Sequence, residues 1–478
     1  MTNNAQDPNK PSTAFQRRQF LKGAMALGGV FLSPQLLLAQ ETPKYALPAG
    51  EKVKLACCGI GFRGAQIIEE LYATGMCEIV ALCDTAMDAK HTQAMLKMFP
   101  TVPRFRDFRE MFEKMGDKIE AVSIGTPDHS HFPIAMLAMS LGKHIYVEKP
   151  MAHSFKQIQL MIDAEKKYKV ACQMGNQGHS LANYFQFKAW TEAGIIKNVT
   201  SMTAFMNSAR RWHGKTYTGF FPEEPMPENL DHNVWTGTAK LHPYNKGYMN
   251  GEWRSWFDYG NGALGDWGAH IIDTAHRFLK LGLPTWVDPV RLDGHSDLVF
   301  PQECTLKFHF PEREGMPACD ISWYEGQNNP PPLPSDFGQA VVDGNIPPPS
   351  AGKIDTKKMP PGKVIYGEGL TFKGGSHGTT LQILEKDKAK ELKLPKVESG
   401  TNHFENFFMA CKGKETCRSN FAVAGPLCQA MALGVIAQRV KAKIEFDPAT
   451  HKITNHEVAN AMLDGDAPRK EWEQYYKL

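Results

Sequence analysis

A short apolar run, Val53-Lys54-Leu55-Ala56-Cys57-Cys58, leads directly into Gly59-Ile60-Gly61-Phe62-Arg63-Gly64 and then into a helical pattern from Ala65 to Ala73. No other feature restricts the possible folds of this chain so strongly. A G-x-G-x-x-G turn between a strand and a helix lets the chain turn tightly at the first glycine. It lets the backbone approach a pyrophosphate at the second and the helix pack closely at the third. The helix N-terminus then presents unbonded N–H groups and a positive dipole to phosphate. A second apolar run, Glu78 to Cys83, ends in Asp84, twenty residues after Gly64. A carboxylate there accepts hydrogen bonds from a ribose 2′-hydroxyl and repels a 2′-phosphate. The unit predicts a dinucleotide site that prefers NAD to NADP, built from Gly59, Gly61, Phe62, Arg63, Gly64 and Asp84.

The alternation continues. Lys118 to Ile124 reads as a strand, Ser130 to Ser140 as a helix, Lys143 to Val147 as a strand and Val170 to Met174 as another. Repeated strand–helix units imply an α/β fold with a parallel sheet covered on both faces. Two loops follow strand ends, where ligands bind in such sheets: Gly125-Thr126-Pro127-Asp128-His129-Ser130-His131, and the Glu148-Lys149-Pro150 that closes Tyr146-Val147. Thr126, Pro127 and His131 are therefore expected beside the cofactor; Glu148 and Lys149 read by themselves as a solvated charge pair at a strand end, and only the family resemblance given below implies them there. Beyond Val199 the strands lengthen and the loops extend. Residues 326 to 362 are rich in proline and glycine and read as a loop or flap, while His403 and Gly425 each open or enter a helical pattern.

The 478 residues suit two domains after a leader, and 42% hydrophobic with 22% charged residues is a globular composition. The boundaries read as 1–45 for leader and linker, 46–172 for the nucleotide domain and 173–478 for the remainder. A net charge of +3 without a long basic run argues against a nucleic-acid partner. The leader carries Arg17-Arg18 ahead of a moderately apolar stretch, Gly23 to Ala39. This predicts twin-arginine export of the folded protein to the periplasm, with membrane contact only if the leader is retained. After it no apolar run is read as long enough to span a bilayer. The ten cysteines do not form a disulfide framework by their placement, although Cys304 with Cys319, or Cys411 with Cys417, could bridge in an oxidising compartment.

The densest polar constellation runs from Asn261 to Asp273. Asp266 and His270 are four apart, which on one helix puts them on one face as a hydrogen-bonded pair, with Asp273 and His276 extending the stripe. The carboxylate would hold the imidazole or tune it for proton transfer. Two carboxylates and a histidine also suggest a metal, but unbroken helical spacing supplies few ligands. Five of nine tryptophans lie between Trp212 and Trp267. They either stack on sugar rings or form the core of an insertion, the latter being preferred for most.

The T-P-x-x-x-H loop at Thr126 to His131, the E-K-P at Glu148 to Pro150 and the D-x-x-x-H-x-x-D at Asp266 to Asp273 resemble the glucose–fructose oxidoreductase and inositol dehydrogenase (Gfo/Idh/MocA) family. The likeness covers roughly residues 51 to 475. It implies a Rossmann domain followed by an α+β domain with a large open, mostly antiparallel sheet, a homo-oligomer, and no need for a metal. It also implies that Lys149, Asp266 and His270 are catalytic, with a carbohydrate or glycoside bound nearby. Asn176, Gln177, His179, Arg211, Trp253 and Tyr259 are the expected substrate contacts. Two reactions stay open: hydride transfer from a sugar carbinol to tightly bound NAD, with Lys149 as base or cationic donor, and redox-neutral glycoside cleavage by oxidation, elimination, hydration and reduction. The second needs a further base, for which His270 and Tyr259 are the candidates. A non-catalytic dinucleotide-binding subunit is the third possibility.

Overall fold

The computed structural model describes residues 47–48, 50–207, 215–339 and 359–477. The leader, with Arg17 and Arg18, and the Pro347-Pro348-Pro349 run lie outside them.

The first half forms a six-stranded parallel sheet from β1 (Val53–Cys58), β2 (Cys77–Cys83), β3 (Arg104–Phe105), β4 (Ala121–Ile124), β5 (His144–Val147) and β6 (Cys172–Met174). Their order is β3-β2-β1-β4-β5-β6, so the winding direction reverses between β1 and β4. That reversal opens a crevice at the carboxyl ends of the two strands, the ordinary ligand position in such sheets. The strands are buried almost throughout, which explains their continuous apolar character. The strand expected over Lys118 to Ile124 starts only at Ala121, because Gly116–Lys118 forms a single 3₁₀ turn. The helix after the glycine turn begins at Phe62, not Ala65, so Gly64 lies within its first turn.

The second half contains a nine-stranded sheet: β7 (Ser201–Met206), β8 (Trp286–Asp293), β9 (Glu303–Phe310), β10 (Cys319–Glu325), β11 (Gly362–Tyr366), β12 (Thr371–Gly375), β13 (Gln382–Ile383), β14 (Ile444–Asp447) and β15 (Lys452–Ile453). The order is β13-β12-β11-β7-β10-β9-β8-β14-β15. Only β7 and β10 run parallel; the other neighbours are antiparallel.

Helix Phe421–Val440 joins the halves. Its Gly425 sits where a Cβ would meet Ile162 at 2.3 Å, and its Gly434 where one would meet Leu264 at 2.6 Å and Phe308 at 2.9 Å. By length and composition this helix could cross a bilayer, which the sequence reading had not allowed for; in the structure it is mostly buried. A helix enclosed on all sides is apolar all round whether its surroundings are lipid or protein. Asn402 and Glu405 form a reciprocal capping box at the start of helix His403–Cys411. All ten cysteines are buried and free, so neither Cys304–Cys319 nor Cys411–Cys417 is a bridge.

Candidate active site

The crevice at the sheet reversal widens into a cleft of about 740 Å³, lined by the glycine turn, the loops after β4 and β5, and residues of the second half. At the turn, Gly59 has φ +78°, and a Cβ on it would lie 2.7 Å from the Gly125 backbone. A Cβ on Gly64 would lie 2.0 Å from the Gly59 carbonyl oxygen. The two glycines thus let the turn collapse onto the loop after β4. Helix Phe62–Ala73 has Gly61 as its N-cap, no capping side chain and no acid in its first turn. Its first N–H groups are left for an anion. This donor set fits a pyrophosphate.

Asp84 lines the cleft and also fixes the turn: Oδ2 accepts the Ile60 N–H at 3.0 Å and Oδ1 the Ala86 N–H at 3.0 Å. Phe62, at φ +48°, stacks on His91. Arg63 Nε lies 3.4 Å from Glu148 Oε1. That buried carboxylate also accepts from Gln177 Nε2 at 3.1 Å, and Gln177 donates to the Tyr146 hydroxyl at 3.0 Å. Thr126 and Pro127 line the cleft. His131 stands behind them, its Nδ1 2.9 Å from the Pro150 carbonyl oxygen and its Nε2 2.8 Å from that of Thr126. It ties the two loops together, and burial disfavours its charged form. The Lys149–Pro150 peptide is cis.

Lys149 Nζ donates to Asp266 Oδ1 at 2.5 Å and to the Asp266 carbonyl oxygen at 2.8 Å. Arg254 Nε lies 3.5 Å from the same Oδ1. Burial alone would raise the Asp266 pKa, but the Lys149 and Arg254 charges and the Lys149 hydrogen bond outweigh it and hold the carboxyl below the usual range. His270 Nδ1 is buried without a hydrogen-bond partner, and its ring stacks on that of His377 at 3.9 Å. Burial, then the Lys149 charge, push the His270 pKa well down, so the imidazole is neutral. Asp128 Oδ2 accepts from the Asn261 backbone N–H at 3.2 Å and Nδ2 at 3.1 Å; burial lifts its pKa to about 6 against the pull of Arg254.

Residues 53–176 match the model of the Gfo/Idh/MocA oxidoreductase family's NAD-binding Rossmann fold, and residues 190–294 match that of its C-terminal alpha/beta domain. The chain belongs to the Gfo/Idh/MocA family. Among its relatives, the inositol 2-dehydrogenase/D-chiro-inositol 3-dehydrogenase of Lactiplantibacillus plantarum is 29% identical over 145 residues, 30% of this chain and 41% of that protein. The alpha-N-acetylgalactosaminidase of Shewanella oneidensis is 28% identical over 178 residues, 33% of this chain and 38% of that protein. The match thus spans about two-fifths of the length of these curated relatives. The fold is shared with the WlbA dehydrogenase from Bordetella pertussis, solved with NADH and UDP-GlcNAcA (TM-score 0.55, 14% identity, 83% of this chain and 99% of that one). It is shared also with levoglucosan dehydrogenase in complex with NADH (TM-score 0.54, 16% identity, 83% and 99%).

Within this Gfo/Idh/MocA cleft the structure departs from the sequence reading in several places. Asp266 does not hydrogen-bond to His270; Lys149 and Arg254 occupy its carboxylate. The helix divides at Ile272, whose backbone stays in the right-handed helical region, into Gly262–Ile271 and Asp273–Phe278, and neither Asp273 nor His276 lines the cleft. Asp273 instead accepts from His179 Nδ1 at 2.5 Å and Asn176 Nδ2 at 3.0 Å. Those two expected substrate contacts are buried and absent from the cleft lining, whereas Gln177 and Trp253 line it. Tyr259 is fully buried in a cluster with Trp235, Tyr248, Trp253 and Trp256, away from the lining, and burial pushes its phenol up. Of the five tryptophans, Trp235, Trp253 and Trp256 belong to this small core, and Trp235 and Trp253 also line the cleft. Arg211, with Arg210, Trp212 and His213, lies outside the described residues. Sequence reading passed over Asp128, Arg254 and His377 as site residues. Asp128 was legible, since it follows Thr126-Pro127 at a strand end. His377 had only the turn composition of Gly374-Gly375-Ser376-His377-Gly378 to mark it.

Proposed function

We propose that this chain is an NAD-dependent oxidoreductase that takes hydride from a hydroxyl-bearing carbon of a sugar or glycoside. One observation carries the reading. Lys149, Asp266 and His270, brought from distant parts of the sequence, meet in the same cleft as the glycine turn. The turn and the adjoining helix N-terminus would hold the pyrophosphate and Asp84 the ribose, a carboxylate that favours NAD over NADP. Thr126, Pro127 and Glu148 would flank the reacting end. Bound NAD supplies the hydride acceptor.

The chain's own groups divide the remaining work. Lys149, ion-paired to Asp266, acts as a cationic donor to the substrate hydroxyl oxygen and favours its developing negative charge. Its Nζ already donates to the Asp266 carboxylate and carbonyl oxygens, so the role of base falls to another group. His270, neutral and lining the cleft, takes the hydroxyl proton. Gln177, Trp253 and Trp267 would contact the sugar, the indole faces against its C–H surface.

A second reading, redox-neutral glycoside cleavage, is supported by the likeness to an alpha-N-acetylgalactosaminidase. Incubation with myo-inositol, levoglucosan and p-nitrophenyl α-N-acetylgalactosaminide separates the two. Reduced-nicotinamide absorbance that rises with oxidised sugar supports the first reading. Release of nitrophenol without net absorbance change supports the second. Neither signal with any sugar contradicts both. We propose further that the Arg17-Arg18 leader exports the folded, cofactor-loaded protein by the twin-arginine route. Replacing both arginines by lysine should stop export in cell fractionation, and unchanged periplasmic protein would exclude the route.

A further inference from the structure

The loop between β12 and β13 carries His377 at φ +52° and Gly378 at φ +81°. It is fastened on several sides. The His377 N–H donates to the His270 carbonyl oxygen at 3.1 Å, and the Gly378 carbonyl accepts from the Asn183 N–H at 3.1 Å. Buried Lys363 donates to the Ile271 carbonyl at 2.9 Å and the Gly375 carbonyl at 3.4 Å, joining the loop to the helix end that bears His270. Gly178 packs against the loop so tightly that a Cβ there would lie 2.9 Å from the Gly378 nitrogen. This anchoring places the His377 ring face to face with His270, 3.9 Å between centroids and 22° between planes, and edge-on to Trp267 at 5.2 Å. His270 is buried and His377 is exposed, and both line the cleft.

Oxidation of a carbinol breaks one C–H and one O–H bond. The hydride, with its electron pair, goes to the nicotinamide, a C=O bond forms, and one proton is left over. In the proposed mechanism that proton arrives at His270. It cannot stay there, because burial and the neighbouring Lys149 ammonium oppose an imidazolium. Lys149 and Asp266 are already tied to each other, Nζ donating to Oδ1 at 2.5 Å. Asp128 lines the cleft but is buried, and its Oδ2 is taken up by the Asn261 N–H and Nδ2 donors. His377 alone among these groups touches both His270 and solvent. Two stacked imidazoles repel each other if both are charged, so His270 can take the next proton only once His377 has released the first to solvent.

We propose that His377 is a proton-relay residue, passing the carbinol proton from buried His270 to solvent by way of a hydroxyl or water at the rim of the stacked rings. The proposal rests on the oxidation reading. The test is stopped flow on the NAD-loaded protein with each of the three sugars named above, following reduced-nicotinamide absorbance and a pH indicator together in weak buffer. His377→Asn removes the imidazole while keeping a residue that accepts positive φ, and His377→Gln provides a second variant. In the parent, proton release should keep pace with hydride transfer. In both variants it should lag by about 10²-fold, and added imidazole should restore it. Unchanged timing in the variants, a loss that imidazole does not rescue, or failure of both variants to fold would overturn the relay. Absence of any reduced-nicotinamide signal from the parent with all three sugars would overturn the oxidation reading, and the relay with it.

Discussion

The carboxylate of Asp266 is shared by Lys149 and Arg254, and this pairing sets the charge state of the whole cluster. Because the folded-state pKa of Asp266 lies below its unfolded value, the ion pair contributes stability above about pH 4. That contribution is lost as pH falls through the folded value. Asp266→Asn leaves the Lys149 ammonium without its partner and should cost about 3 kcal/mol at pH 7, with the deficit shrinking in acid. Urea denaturation at pH 7 and again in acid checks it. Asp128 has the opposite sign. Its pKa is raised to about 6, so the folded state favours the protonated carboxyl, and this stabilisation fades as pH rises from about 4 through 6. Asp128→Asn should therefore unfold later than the parent at pH 8, by up to about 3 kcal/mol, and show no such gain at pH 4. Sequence reading identified Asp266 and His270 by their spacing but assigned the hydrogen bond to the wrong partner. Helical spacing reports which residues share a face; it cannot report that a lysine 117 positions away reaches that face first.

Elements whose formation depends on local chemistry were the most legible. The strand, glycine turn and helix from Val53 to Ala73 follow from apolar runs and from turns that tolerate no Cβ. Gly64→Ala would place a methyl 2.0 Å from the Gly59 oxygen and force the turn open. Nucleotide affinity should fall by about 1–3 kcal/mol, measurable by fluorescence titration with NAD. Asn402→Ala, which removes a capping box, should cost about 1 kcal/mol in stability without altering that titration. Less legible were elements shaped by tertiary packing. The division at Ile272 separates two segments with uninterrupted helical pattern, and the buried Phe421–Val440 helix lacks the polar face that marks a surface helix.

At the scale of the whole molecule, the cleft is assembled by chain crossings that no local pattern encodes. Lys149 follows a strand of the first sheet, Asp266 and His270 sit on a helix of the second half, and His377 comes from a loop between β12 and β13. The buried Asp273, with His179 and Asn176, lies behind this junction, so those polar residues looked like substrate contacts in the sequence and prove to be internal. The central claim is that these groups transfer a proton beside a bound nicotinamide. Single-turnover absorbance of the NAD-loaded parent, Lys149→Ala and His270→Ala proteins, with nucleotide content measured by acid release and chromatography, tests it most directly. The account predicts that both variants keep NAD and that each loses about 10²–10⁴-fold in the rate of nicotinamide reduction. Near-parental reduction in both variants, with NAD bound, would contradict it.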